Sequence, residues 1–312
     1  MAGAVISTAA FRQAWSSLPM SRTLQTRVAV VIAALAVAAC APLSTFNVLV
    51  VSDSHDMATA AYGASRRQQL DVYVPREIEE RMRPPNGWPL VVFFYGGSWK
   101  HGERAHYRFV GEALAARGIV AVIPDYRLYP EVRYPDFLKD NAAATAWAMR
   151  EAARLGADPK RVFVMGHSAG GYNAAMMALD ARWLGAESIQ PTQLAGWMGL
   201  AGPYEFLPIE NPEVKPVFLH PDTPPECEPM RYVSPSVPRT FLAAAPDDDL
   251  INPERNTKQM ANRLQQAGIP VTLQMYPRAS HATLIGAFAF PLRFLAPVLD
   301  DIVDFVNEAP AR

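Results

Sequence analysis

A chain of 312 residues, 50% hydrophobic and 19% charged, has material for one large buried core or two small ones. Its formal net charge of -1 offers no long-range attraction to a polyanion, so no nucleic-acid partner is expected. Two cysteines, Cys40 and Cys227, exclude a disulfide framework.

Residues 1–39 read as a signal peptide outside the fold. They contain Arg12, Arg22 and Arg27 but no acidic residue, and Val28 to Ala39 is an unbroken apolar or small-residue run too short to span a bilayer stably. The run ends in Val37-Ala38-Ala39-Cys40, which resembles the lipobox of bacterial lipoproteins, with Val37 where such boxes often carry Leu. That resemblance implies cleavage before Cys40 and its diacylation, a membrane partner through the lipidated N-terminus, and a place in the bacterial cell envelope. A plain secretory signal or an uncleaved anchor is the alternative. A start at Met20 would give a leader of ordinary length. Removing residues 1–39 leaves the mature chain at about -4 by the same count, and residues 40–57 read as a tether.

From residue 58 onward strand and helix alternate within one domain, 58–312. Gln69 to Val74 alternates apolar and polar residues and predicts a first strand. A polar stretch separates it from Pro89 to Phe94, a continuous apolar run of the kind buried on both faces of a sheet. Arg104 to Arg117 has helical period and stops at Gly118. Ile119 to Ile123 predicts a buried strand, Asp136 to Leu155 a helix closed by Gly156, and Arg161 to Met165 another strand. Leu194 to Leu200, Thr240 to Ala245 and Val271 to Tyr276 predict three more, with helices over Glu254 to Ala267 and Leu292 to Val306. The class implied is α/β, a mostly parallel central sheet with helices on both faces. Residues 203–238 interrupt the pattern with ten prolines, which disfavour helix and central strand alike. A long irregular insertion of this kind predicts a cap-like loop over a site.

The densest chemical signal is Val162 to Gly171. A short β-branched run stops at Gly166, and a small-residue helix begins near Ala169; between them Gly166-His167-Ser168-Ala169-Gly170 fits G-x-S-x-G. The glycines remove side chains where strand and helix crowd, which lifts Ser168 onto a strained turn at a helix N-terminus. A serine hydroxyl also needs a base, a group to orient that base, and donors for an oxyanion. Of six histidines, His281 lies just past the strand Val271 to Tyr276, at the sheet edge where sites of this class gather; His167, inside the turn, is expected to point away from Ser168. Asp247, Asp248 and Asp249 follow the strand Thr240 to Ala245. Three aspartates at one strand end are more than a turn needs, and one of them is expected to orient His281. Tyr95-Gly96-Gly97-Ser98-Trp99 follows an early buried strand, so the N–H of Gly97 or Ser98, with that of Ala169, would form the oxyanion hole.

Together with Pro-Asp-Tyr-Arg-Leu at 124–128 and Asp158-Pro159, these motifs resemble the α/β-hydrolases over roughly residues 68–306. The resemblance is to the carboxylesterase branch with a His-Gly-Gly-type loop, which includes hormone-sensitive-lipase-like, feruloyl-esterase-like and prenylcysteine-methylesterase-like enzymes. It implies Ser168 as nucleophile, Asp248 as acid and His281 as base, with Asp125 and Arg127 bracing the loops. In such folds the acid stands one residue before an apolar pair that folds back on the core; with Leu250 and Ile251 as that pair and Asp249 as a spacer, the resemblance favours Asp248, and Asp249 is the alternative. Tyr95 departs from the pattern, standing where the family usually has His. The implied activity is hydrolysis of small-molecule carboxylic esters through an acyl-enzyme. An arylformamide or short peptide as substrate, or a non-catalytic scaffold on the same fold, are the other readings. Neither metal nor cofactor is expected: there is no Cys pair at ligand spacing, no H-E-x-x-H and no phosphate-binding glycine loop. Trp183, Leu184, Trp197, Phe206, Phe218 and Leu219 are candidates for an acyl-accepting wall, with core packing the alternative that explains most such residues.

Overall fold

The computed structural model describes residues 46–47 and 53–308. The leader, Cys40 and most of the segment read as a tether lie outside the described residues. Eight strands form one sheet in the order β1-β2-β4-β3-β5-β6-β7-β8. Its centre is β3 (Trp88–Phe94), all seven residues of which are buried, as a strand covered on both faces requires. It lies parallel to β4 (Val120–Pro124) on one side and to β5 (Ala157–His167) on the other. β6 (Gly196–Leu200), β7 (Thr240–Ala244) and β8 (Val271–Met275) continue the parallel run. Helices fill the crossovers: α1 (Arg108–Ala115), α2 (Asp136–Glu151), α3 (Ala169–Leu179) with the short α4 (Ala181–Gly185), and α5 (Gln259–Gln266). After β8 come α6 (His281–Gly286) and α7 (Val298–Asn307).

The chain leaves β3 for β4 and then returns past β3 to β5, so strand order reverses between β3 and β5. Crossovers from those two carboxyl ends diverge and leave a crevice, the usual ligand position in an open α/β sheet. The glycine loop after β3 and the serine turn after β5 both open onto it.

The sheet begins earlier than its sequence suggests. β1 (His55–Ala61) pairs antiparallel with β2 (Gln69–Pro75) along its whole length, from His55 opposite Pro75 to Ala61 opposite Gln69. Residues 55–57, read as tether, are therefore strand. The segment carries no apolar run and is mostly exposed; the backbone ladder rather than side-chain burial holds it. The helix expected over Arg104 to Arg117 opens with a 3-10 turn, Arg104–Tyr107, and that over Glu254 to Ala267 with a π-helical turn, Glu254–Lys258. The strand expected over Arg161 to Met165 extends in both directions to Ala157–His167.

Residues 203–238 contain no α-helix or strand, only three 3-10 turns: Lys215–Phe218, Pro225–Cys227 and Pro229–Tyr232. The segment packs onto the domain instead of standing apart from it. Val217, Phe218 and Cys227 are fully buried, and the Tyr172 hydroxyl on α3 donates to the Cys227 carbonyl at 2.8 Å.

Candidate active site

Ser168 sits between β5 and α3 with φ 57° and ψ -124°, a conformation that side-chain-bearing residues rarely adopt. Crowding makes the flanking glycines obligatory. A Cβ on Gly166 would lie 1.9 Å from the Gly170 carbonyl oxygen, and one on Gly170 would lie 1.9 Å from that of Phe94. The turn is tied to the neighbouring strand by the Ser168 N–H, which donates to the Leu200 carbonyl at 2.9 Å. Ala169 is the first residue of α3, so its N–H has no intrahelical acceptor and points out of the positive end of the helix.

Asp248 and His281 come from two different strand ends and meet. His281 Nδ1 and Asp248 Oδ2 are 2.7 Å apart, and the Asp248 side chain is completely buried. Its other oxygen, Oδ1, accepts the N–H groups of Leu250 and Ile251, both at 2.9 Å. Burial alone would raise the Asp248 pKa; the hydrogen bond and charge of His281, with those two backbone donors, outweigh it and hold the carboxyl below its usual range. Asp247 and Asp249 are exposed, so one aspartate of the three reaches the histidine. On the other side, Ser280 caps α6 through the Thr283 N–H, which fixes where the helix carrying His281 begins.

His167 does point away from Ser168, and sequence reasoning missed what it points to. Its Nε2 donates to the His281 carbonyl at 2.9 Å, and the two rings lie 4.8 Å centroid to centroid. Burial, reinforced by the adjacent His281, lowers the His167 pKa to about 3, so this imidazole is neutral at ordinary pH. G-x-S-x-G leaves the residue before the serine unspecified, so nothing in the motif distinguishes a histidine there.

The glycine loop is a tight turn in which the Lys100 and His101 N–H groups both donate to the Gly97 carbonyl at 3.0 Å. Gly97 (φ 123°), Ser98 (φ 53°) and Trp99 (φ 56°) all have positive φ, and a Cβ on Gly97 would meet the His101 carbonyl oxygen at 2.2 Å. Among the described residues the N–H groups of Gly97 and Ser98 make no backbone hydrogen bond. Beneath the loop, Tyr95 is fully buried and stacked between Tyr107 and Tyr126. Its hydroxyl donates to Asp125 at 2.8 Å and accepts from Arg67 at 2.8 Å, while the same Arg67 nitrogen donates to the Gly102 carbonyl at 2.8 Å. Burial, then Tyr126 and Asp125, push the Tyr95 phenol well above its usual pKa, so it remains a donor. Asp125 thus braces the loop from below. Arg127 pairs with Asp140 at 2.8 Å on the chain just after β4. Arg67 was not legible as a loop support, because it lies before β2, far away in sequence.

Ser98, Ser168, Ala169 and His281 line one cavity of about 260 Å³. Gly97 is not among its lining residues. The cap-like segment closes one side with Phe206, Ile209 and Val214, and Leu250 and Ile251 contribute from the acid loop. Of the six candidates for an acyl wall Phe206 alone reaches the cavity, while Leu184, Trp197 and Phe218 are fully buried core, the alternative expected for most of them. Phe218 instead supports the wall from behind, packing against Trp99 (4.8 Å between ring centroids) and Phe206 (5.1 Å).

The chain is similar to known proteins in sequence and in fold. The sequence model of the BD-FAE family matches residues 70–264. Carboxylesterase NlhH of Mycobacterium tuberculosis is 30% identical over 260 residues, covering 75% of this chain and 76% of that protein. A probable isoprenylcysteine alpha-carbonyl methylesterase of Oryza sativa subsp. japonica is 28% identical over 279 residues, 82% of this chain. The chain spans 65% of that plant protein's length. Among solved structures, the thermophilic esterase Est2 of Thermogutta terrifontis superposes with a TM-score of 0.65 at 22% identity, covering 83% of this chain and 95% of its own, so the fold is shared.

Proposed function

The chain belongs to the BD-FAE family, and on that premise we propose that it is a serine hydrolase acting on small-molecule carboxylic esters. The observation that carries the reading is the buried Asp248–His281 pair, whose histidine lines the same cavity as Ser168. With Nδ1 held by Asp248, the ring nitrogen left for the serine is Nε2. His281 takes the Ser168 hydroxyl proton as Oγ attacks the ester carbonyl, and buried Asp248 stabilises the imidazolium. Negative charge then develops on the carbonyl oxygen. The N–H of Ala169 at the head of α3 and that of Ser98, both lining the cavity, would receive it, with the N–H of Gly97 as the alternative loop donor. Collapse expels the alcohol, which takes the proton from His281, and water hydrolyses the acyl-Ser168 by the same route.

The relatives named as carboxylesterase and methylesterase support ester over amide chemistry. A panel of p-nitrophenyl esters, arylformamides and aminoacyl-arylamides tests it. Turnover of the esters with kcat/KM at least about 100-fold above the other two classes is expected. Preferential cleavage of the arylformamides would replace the reading with an arylformamidase.

The sequence of the leader supports a second, separate proposal: that the mature chain begins at Cys40, lipidated and held in the bacterial cell envelope. Two acyl chains anchor a protein stably where one does not. Mass spectrometry of the N-terminal peptide, compared with Cys40→Ser, decides it; a cleaved but unlipidated terminus contradicts it.

A further inference from the structure

The cavity shared by Ser168 and His281 is also lined by a half-exposed glutamate, one of whose carboxylate oxygens is buried without a donor among the described residues. Glu205 lies five residues beyond β6, where the cap-like segment begins. Its backbone is fixed: Asn256 Oδ1 accepts the N–H of Tyr204 at 2.7 Å and that of Glu205 at 2.9 Å. Asn256 is itself buried and donates Nδ2 to the Asn252 carbonyl at 3.0 Å. Glu205 therefore lines the cavity on a held backbone rather than on a swinging loop. Its Oε2 is closed off from solvent, and no donor among the described residues reaches it. Arg255, the cation lining the same cavity, directs Nη2 to the Leu207 carbonyl instead. Glu210 also lines the cavity but is exposed, so water satisfies it.

A carboxylate oxygen withdrawn from water and given no donor is unfavourable, and that deficit disappears when a ligand brings the donor. The same cavity has an apolar part, Phe206, Ile209 and Val214, suited to hydrocarbon, beside the polar Asn252 and Asn256. A ligand matching both features carries a short apolar part and one hydrogen-bond donor near the ester.

Building on the esterase reading, we propose that Glu205 is a specificity-determining residue that accepts a hydrogen bond from a hydroxyl or protonated amine on the substrate. The same carboxylate turns away esters that bring a second carboxylate to that position, by like-charge repulsion. Sites that hydrogen-bond a substrate donor discriminate against the analogue lacking it, because the protein group is then left unpaired.

The test compares kcat/KM at pH 7 for four acetates of matched length: 2,3-dihydroxypropyl, 3-aminopropyl, propyl and 2-carboxyethyl. Rates are read by pH-stat and normalised to sites titrated with a fluorophosphonate. The wild type should favour the dihydroxypropyl or the aminopropyl ester over propyl acetate by at least about tenfold, the effect of one charge-assisted hydrogen bond, and should disfavour the carboxyethyl ester. Whichever of the first two is preferred identifies the donor as hydroxyl or ammonium. In Glu205→Ala both ratios should fall to within about twofold of unity, and Glu205→Gln should lose discrimination against the carboxylate. Equal rates across the panel in the wild type, or selectivity that survives Glu205→Ala, overturn the proposal while leaving the esterase reading intact. A wild type that hydrolyses no ester at all overturns both.

Discussion

One aspartate of three consecutive ones is buried against a histidine, and that contrast gives the sharpest residue-level test. Asp248→Ala should lower kcat by about 10³–10⁴, as removal of a triad acid does, while alanine at exposed Asp247 or Asp249 should cost less than about tenfold. Steady-state kinetics on a p-nitrophenyl ester measures this, and a large loss at Asp249 would reassign the acid. Tyr95 occupies a different rank. It lies beneath the glycine loop, bonded to Asp125 and Arg67, and lines no part of the cavity. Tyr95→Phe should therefore cost at most a few tens-fold in kcat, the loss of one loop hydrogen bond. A drop as large as that of Ser168→Ala would mean the phenol acts on the reacting atoms. The hydroxyl that replaces the family's usual histidine is thus read as a support, and the stacked Tyr107 and Tyr126 rings explain how a larger ring is accommodated there.

At the level of elements, the serine turn is the most constrained joint in the chain. Gly170→Ala places a Cβ 1.9 Å from the Phe94 carbonyl oxygen, against central backbone that cannot yield. Thermal or chemical unfolding should show a loss of more than about 3 kcal/mol, or no soluble protein. Gly185 is the control, because a Cβ placed on it would meet nothing within 4 Å: Gly185→Ala should change stability by no more than about 1 kcal/mol. The same joint explains what was legible in the sequence. Buried parallel strands announce themselves as apolar runs, and G-x-S-x-G is readable because only glycine fits where β5, α3 and β3 converge. The aspartate that meets His281 is the expected Asp248, but not for the expected reason: Leu250 is 69% exposed instead of folding back on the core, and it is the N–H groups of Leu250 and Ile251 that hold the carboxylate. β1 was not legible: its stability lies in backbone pairing to β2, which leaves no hydrophobic period to find. Arg67 and His167 were equally hidden, since each acts on a loop far away in sequence. Which of the six apolar candidates lines the cavity was not legible, because large apolar residues look alike in sequence whether they line a cavity or fill the core behind it.

For the molecule as a whole, two buried groups couple the site to acid stability. In the unfolded chain a histidine takes a proton near pH 6.5, whereas folded His167 resists protonation down to about 3. Between those values the unfolded state binds the extra proton, so folding stability rises with pH and falls as the solution is acidified below about 6.5. Asp248 acts in the same direction lower down. Its folded pKa lies below the unfolded value near 3.9, so the stability it contributes is full above that value and is lost as pH falls through the folded one. The midpoint of thermal unfolding should therefore decline from pH 7 to pH 5, and His167→Gln should flatten that decline; an unchanged slope would show that the buried imidazole is not its source. The account as a whole rests on Ser168 being a nucleophile activated by His281. Its most direct measurement is intact-protein and peptide mass spectrometry after treatment with a fluorophosphonate. The account predicts one adduct per chain, on the peptide containing Ser168, absent in Ser168→Ala and formed at least about 100-fold more slowly in His281→Ala. A wild-type chain that stays unlabelled, or an adduct on another residue that persists in Ser168→Ala, would contradict it.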